Sequence, residues 1–506
     1  MKKILALVLA LAVILSISIS AAAAGSTDKL VIGTSDSYQT LQPFQGATHW
    51  GTQVYQPLGA RETIGGEFKG ILAESWERLD ELTYRVKIWD NITDSDGNKI
   101  TADDVVFSFE EAARIGELTK LFALEKVEKV DDYTVDFTWK EVPAAGGFEN
   151  VMNQVFIVSQ AAYENGDMGR MPVATGPYKV TNFASDVSVS LALNENYWAR
   201  EDQITMARMQ QTISEIEVKT ISESSQLTMA LQTKTIDMTK DISSQDVPMF
   251  TMAPGYTVEE APGTNGYVLY PNCSEDNILS DINLRKALFA AININAIAER
   301  IQSGYCDPLY SMGCTQLADY NPEWEQIHAQ FDLEAAQTFL DQSNYKGETL
   351  RLITVPFGYG KDIGELIQGQ ASKIGIKISV QAPQIGNFLA MEHDPSQWDL
   401  LISPIASNDY VTTAWGSFFD GYQTGTGMSK NFVDDQELQD LLHTALSVEG
   451  HADPANLDAC WGYMMEMAYC NPLVNPNIFY VYDNSKIESV DVSGEGMVQS
   501  NAFVVK

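Results

Sequence analysis

The sequence predicts an α/β protein with more than one packed unit. Three observations predict it. Residues 350–355, 362–374 and 376–381 read as strand, helix and strand, the order of a parallel crossover. Short segments of alternating polarity recur along the chain and read as further strands. The 506 residues exceed what one typical core covers, so two or three structural units are expected.

Residues 29–33 (KLVIG) read as a strand leading into a polar loop. Residues 72–76 read as a turn with an apolar plug. Residues 83–89 (TYRVKIW) and 133–139 (YTVDFTW) alternate as strands. Asp94-Ser95-Asp96-Gly97-Asn98 is a turn by composition. Thr101 caps a helix whose first turn carries Asp103 and Asp104, where the helix dipole favours acids. Val105, Phe109 and Ala112 give its apolar face. Gly176 and Pro177 fix a turn entering a strand, residues 187–193 alternate, and residues 215–220 form another strand. A helix over 222–232 and a short apolar strand over 266–270 follow. Residues 281–301 make the clearest helix, with Leu284, Leu288, Ala291, Ala298 and Ile301 near one face. Residues 333–340 give a short helix and 398–403 an apolar strand. No repeat or low-complexity linker separates the units, so they are expected to be packed and interleaved.

Acids number 68 and bases 32, a formal charge of −36. A polyanion repels nucleic acid and anionic membranes, so neither is an expected partner. Met1-Lys2-Lys3, the apolar residues 4–20 and the small-residue site Ala21-Ala22-Ala23-Ala24 have the pattern of a secretory signal peptide. Cleavage is expected before Gly25; an uncut signal anchor is the alternative. No Cys follows the apolar stretch, so a lipid tether is not supported.

An exported chain can hold disulfides. Cys273, Cys306, Cys314, Cys460 and Cys470 are an odd set. Cys306–Cys314 and Cys460–Cys470 are candidate pairs, with free thiols the alternative. The spacings do not resemble a zinc site. None of the five histidines lies in H-E-x-x-H, and the chain has no G-x-S-x-G elbow and no P-loop. Asp94 to Gly97 lacks the ligand spacing of a calcium loop. No catalytic residue, metal or cofactor is nominated.

Several stretches, in order along the chain, carry a resemblance. They are Leu41-Gln42-Pro43 with Val54-Tyr55-Gln56-Pro57-Leu58, Leu72-Ala73-Glu74-Ser75-Trp76, and Ser95-Asp96-Gly97 with Thr101-Ala102-Asp103-Asp104-Val105-Val106-Phe107-Ser108. Ala174-Thr175-Gly176-Pro177-Tyr178, Asn194-Glu195-Asn196-Tyr197-Trp198 and Leu284-Arg285-Lys286-Ala287-Leu288 continue it, as do residues 366–376 and 399–410. Together they resemble the peptide and nickel branch of bacterial extracellular solute-binding proteins, often called family 5, which serve ABC importers.

The resemblance implies a periplasmic-binding-protein-like two-lobe (Venus-flytrap) α/β fold with an additional subdomain on the first lobe. The signal peptide would be 1–24. The first lobe would comprise 25–71, 172–265 and 471–506, with the subdomain at 72–171 and the second lobe at 266–470. Closure about the hinge would trap the ligand.

In peptide-binding relatives a carboxylate in the segment matching 408–410 receives the ligand's ammonium, which implies Asp409 here. A buried cation needs a paired anion, so the assignment is chemically sound. Tyr410, Trp415 and Trp398 lie in the same region and are candidate ligand walls, with core packing the alternative. His49, Trp50, Tyr38 and Tyr359 are candidate cleft contacts on loops.

The expected function is a non-enzymatic subunit of an ABC importer. It would capture a di- or oligopeptide, act as a monomer and deliver its ligand to a membrane-embedded permease from the periplasm or outer cell envelope. An oligosaccharide or metal chelate is the alternative ligand. A secreted hydrolase or extracellular interaction protein is the alternative class.

Overall fold

The computed structural model describes residues 29–45, 51–116, 121, 123–406, 410–421, 423–424, 428–490 and 503–505. Two mixed sheets form the two lobes. The first has seven strands in the order Tyr256–Ala261, Ile478–Asp483, Met238–Thr239, Lys29–Thr34, Glu215–Thr220, Ser188–Leu193 and Tyr178–Ala184. The second has six, in the order Cys306–Pro308, Asn471–Pro476, Asn265–Pro271, Leu400–Ala406, Thr349–Thr354 and Lys377–Gln381. The crossover read from sequence is present: Thr349–Thr354 runs parallel to Lys377–Gln381, with the helix Gly360–Ala371 between them.

The chain passes between the sheets twice. Strand Tyr256–Ala261 leads through Gly263 into Asn265–Pro271, and Asn471–Pro476 leads through Asn477 into Ile478–Asp483. The two crossings pack against each other. Asn475 donates to the Gly263 carbonyl at 2.8 Å, and a Cβ on Gly263 would stand 2.1 Å from the Pro476 carbonyl oxygen. The first lobe was expected to resume at residue 471, but Asn471–Pro476 pairs with Asn265–Pro271 in the second sheet, so the change of lobe falls at Asn477. Residues 471–476 read NPLVNP, whose two prolines and two asparagines give no strand alternation to assign them to a sheet, and the pairing partner decides.

Alternate residues along the second sheet serve opposite faces, as strand geometry requires. Tyr270 and Leu401 join one apolar core, while Leu269, Leu400 and Ile402 join the other. The four strands Ala73–Arg78, Thr83–Ile88, Thr134–Trp139 and Leu124–Asp131 form a separate sheet within the expected subdomain. Its Val86, Val135 and Phe137 share one core with Leu30 and Ile32 of the first lobe, so it packs as part of that lobe. Residues 73–76, expected as a turn, belong to the strand Ala73–Arg78.

The motifs behind the resemblance act as structural ties. Asp104 accepts from the Thr101 backbone N–H at 2.8 Å and from the Gln160 N–H at 2.9 Å, so it fixes the start of the helix Ala102–Ile115 and docks a second segment. A Cβ on Gly176 would meet the Gln53 carbonyl oxygen at 2.4 Å, which only glycine avoids. Trp198 Nε1 donates to Gln56 Oε1 at 2.9 Å, and Gln56 Nε2 donates to the Tyr197 hydroxyl at 2.9 Å. Arg285 is buried, and its Nη1 donates to the Leu279 carbonyl at 2.8 Å while its Nη2 donates to Met467 at the same distance.

The long helix expected over 281–301 is broken into Ile282–Ala290 and Ile294–Ala298. Asn293 is the reason: its side chain accepts from the Ala296 N–H and starts a new helix. Asp94 accepts from the N–H groups of Asp96 and Asn98 at 3.0 and 2.9 Å, which makes the 94–98 segment a self-satisfied turn. All five cysteines are free thiols, so neither candidate disulfide is formed.

Candidate functional site

Strand direction sets which edges of the two sheets face each other. In the first lobe, Tyr256–Ala261 ends at the crossing and is antiparallel to Ile478–Asp483, which is antiparallel to Met238–Thr239. Met238–Thr239, Lys29–Thr34 and Glu215–Thr220 are mutually parallel, so their carboxyl ends all point toward the other lobe. In the second lobe, Asn265–Pro271 starts at the crossing, and its antiparallel partner Leu400–Ala406 ends there, with Asn265 opposite Ala406. Thr349–Thr354 and Lys377–Gln381 run parallel to that partner. The carboxyl edges of two open sheets therefore face each other across the hinge. Ligands of α/β sheets bind at such edges, where the loops carry free backbone groups and side chains of both hands.

At the first edge, one acidic loop ties three strand ends together. Asp241 Oδ2 accepts from Thr34 Oγ1 at 3.0 Å and from the Ser35 N–H at 2.7 Å. Thr220 Oγ1 donates to the Asp36 carbonyl at 2.9 Å. Tyr38 leaves this edge, nearly buried, with its hydroxyl 3.4 Å from Asp36 Oδ2. Burial, followed by the Asp36 charge, holds its phenol well above the ordinary range, so it stays a neutral donor.

At the second edge, Tyr359 follows strand Thr349–Thr354. Its backbone N–H donates to the Tyr267 hydroxyl at 2.8 Å, and the two rings meet edge to face with centroids 6.5 Å apart. Burial raises both phenols.

The lobes touch beside the strand Leu400–Ala406. Arg61 Nη2 donates to the Tyr410 hydroxyl at 3.3 Å, and the guanidinium carbon lies 5.2 Å from the ring centroid. Gly146 packs on the same ring: its Cβ, if present, would stand 2.6 Å from Tyr410 Cδ2. On the second-lobe side, His451 packs against Tyr410 with centroids 4.6 Å apart, and its Nε2 lies 3.3 Å from Asp319 Oδ2. Asp319 in turn accepts from the Val411 N–H at 2.6 Å and the Thr412 N–H at 3.1 Å, fixing the start of the helix Val411–Phe419. The Ala145 N–H donates to the Leu446 carbonyl at 2.8 Å, and Arg78 pairs with Glu449 at 2.8 Å, both across the lobes.

The sequence-named residues divide three ways. Tyr38, Tyr359 and Tyr410 stand at the facing edges. Trp398 and Trp415 do not: both are fully buried. Trp415 stacks on Trp461 at 5.5 Å, and Trp398 packs against Phe432 at 5.8 Å. Each is a core residue of the second lobe, so neither is retained as a ligand wall. Asp409, His49 and Trp50 lie outside the described residues. Sequence reasoning missed Arg61 and Gly146. No local pattern marks them, because Arg61 meets Tyr410 across 349 positions.

A cavity of about 560 Å³ lies elsewhere, lined by Asn293, Tyr310, Glu325, His328, Phe331 and neighbours. Every lining residue belongs to the second lobe and none follows a cleft-facing strand end, so a ligand enclosed by both lobes does not fit it.

Residues 67–425 match the family model for bacterial extracellular solute-binding proteins, family 5, middle region. The chain belongs to that family. Its members are substrate-binding proteins of ABC transporters. The chain is similar to the nickel-binding protein NikA of Staphylococcus aureus, with 21% identity over 88% of this chain and 89% of NikA. It is also similar to the dipeptide-binding protein of Escherichia coli, with 23% identity over 78% of this chain and 77% of that one. Its fold matches the ABC transporter substrate-binding protein CtaP of Listeria monocytogenes with a TM-score of 0.78 at 19% identity, covering 95% of this chain and 99% of CtaP. Among the described residues no helix is long and apolar enough to cross a membrane.

Proposed function

We propose that this solute-binding protein captures a di- or oligopeptide between its lobes and delivers it to a membrane permease. One observation carries the reading: two open sheets present their carboxyl edges to each other, with the end of one strand at Ala406 opposite Asn265 and Tyr410 held against Arg61 of the other lobe. An ammonium bound there would sit between lobes, and its pairing with a carboxylate would favour the closed state. The likeness to a dipeptide-binding protein supports the choice of ligand class. The protein acts by binding and not by catalysis, works as a monomer outside the cytoplasm, and is exported by its N-terminal segment.

Thermal unfolding of the mature protein, with separate pools of small peptides, oligosaccharides and metal chelates, tests the ligand class. The peptide pool alone should raise the midpoint. A rise with sugars or chelates and none with peptides would overturn the reading. Mass spectrometry after incubation should return the peptides intact, and accumulating fragments would show a hydrolase.

A further inference from the structure

Three bulky apolar side chains stand exposed at the cleft-facing edge of the second lobe: Phe357 at 59%, Ile385 at 46% and Leu389 at 49%. Phe357 lies four residues past Ile353, and Ile385 lies four residues past Gln381. Ile353 and Gln381 are paired across adjacent parallel strands, so both chains leave the sheet side by side, toward the first lobe. Leu389 is one turn beyond Ile385 on the helix Ile385–Glu392 and shares its face. Phe388, on a different face, is buried in the second-lobe core and fastens that helix.

The exposure is built in. Gly358 has φ of +65°, and its Cβ, if present, would lie 2.2 Å from the Tyr267 hydroxyl oxygen. The next N–H, from Tyr359, donates to that same oxygen at 2.8 Å. The turn is therefore pinned with Phe357 projecting outward. No charged residue occurs in 355–360 or 382–391, although 20% of the chain is charged. Contact between the lobes at Arg61 and Tyr410 leaves this apolar face uncovered.

We infer that Phe357, Ile385 and Leu389 form an apolar subsite that receives a bulky hydrophobic side chain of the bound peptide. The occupant follows from position: the face continues the strand ends that point toward the other lobe, between which the proposed peptide would be held. The inference rests on the peptide reading and narrows it to peptides carrying a large apolar residue.

Calorimetry with paired tripeptides that differ by Phe or Ser at one position, scanned through all three, tests it. At one position the wild-type protein should prefer Phe by about tenfold or more. Phe357→Ser combined with Leu389→Ser should abolish that preference by weakening the Phe peptide about tenfold more than the Ser peptide, while Phe357→Leu should keep it. Both substituted positions are exposed, so unfolding midpoints should match the wild type. If peptides bind but the preference is absent, or survives in the double variant, the subsite is wrong and the peptide reading stands. If no peptide binds, both fall. If the double variant binds with unchanged selectivity yet fails to support uptake, the face belongs to the permease and the inference is overturned.

Discussion

Arg61 of the first lobe holds Tyr410 of the second through both the hydroxyl, at 3.3 Å, and the ring, at 5.2 Å. The contact exists only when the lobes meet. A ligand that closes the lobes therefore gains it, and a variant that lacks it makes closure less favourable. Arg61→Ala should weaken ligand binding by about 1–2 kcal/mol, roughly 5- to 30-fold. Tyr410→Phe, which keeps the ring, should lose less. Titration calorimetry reads both, and equal affinities across the three proteins would show that the contact plays no part in closure.

Gly146 tests the same meeting line from the other side. It has φ of +74°, and an added Cβ would run into the Tyr410 ring. Gly146→Ala should wedge the lobes and cost about 1–3 kcal/mol of ligand affinity. Adding Tyr410→Ala to it should recover part of that loss, since the obstacle is then gone. A double variant no better than the single one would place the damage in the local backbone and not in the closure.

Asp409 is the proposed partner of the peptide ammonium. Asp409→Asn removes the charge with little change of shape and should weaken peptide binding well over tenfold, because breaking such a pair costs on the order of 3–5 kcal/mol. N-acetylation of the peptide should do the same to the wild-type protein and add little in the variant. Unchanged affinity in the variant would remove Asp409 from the site.

His328 sets a pH dependence of stability. Its Nε2 lies 2.9 Å from the Pro472 carbonyl oxygen and its Nδ1 3.1 Å from that of Ala329. Burial holds the imidazole below its ordinary pKa, and the two carbonyls offset this only in part. In the folded protein the ring is neutral where the unfolded chain, with a pKa of about 6.5, takes up a proton. Unfolding then binds a proton, so this contribution is complete above about pH 6.5 and is lost as pH falls toward the folded pKa, by at most about 1.4 kcal/mol per pH unit. Urea unfolding at pH 7.5 and 5.5 should show a smaller decline for His328→Gln than for wild type. The same decline in both would contradict the assignment.

The thiols give a chemical check on the fold. Four of the five cysteines are buried, and burial pushes the Cys460 and Cys306 thiols up to about 12. Buried, protonated thiols react slowly. Ellman titration without reductant should count five thiols in denaturant and at most one reacting quickly in the native protein. Fewer than five in denaturant would reveal a disulfide.

Most of the scaffold was legible in the sequence because it is local. The crossover 350–381 announces itself by period and length, and Thr101 with Asp104 announces a helix start. The break at Asn293 was hidden, because Ile292 and Ile294 keep the apolar pattern while a single amide redirects the backbone. The lobe change at Asn477 was hidden too, since the two prolines and two asparagines of 471–476 obscure any strand pattern. Of the candidate residues, Tyr38, Tyr359 and Tyr410 fall at the facing edges because they sit on loops after strands. Trp398 and Trp415 sit near the same segment, but their burial depends on Phe432 and Trp461, which no spacing reveals. Arg61 and Gly146 act only through a partner in the other lobe.

Calorimetric titration of the mature protein with a short peptide bearing a free amino terminus and one large apolar residue tests the central claim most directly. The account predicts one saturable site, with binding lost when the terminus is acetylated. No heat from any peptide, together with one-to-one binding of a saccharide or metal chelate, would contradict it.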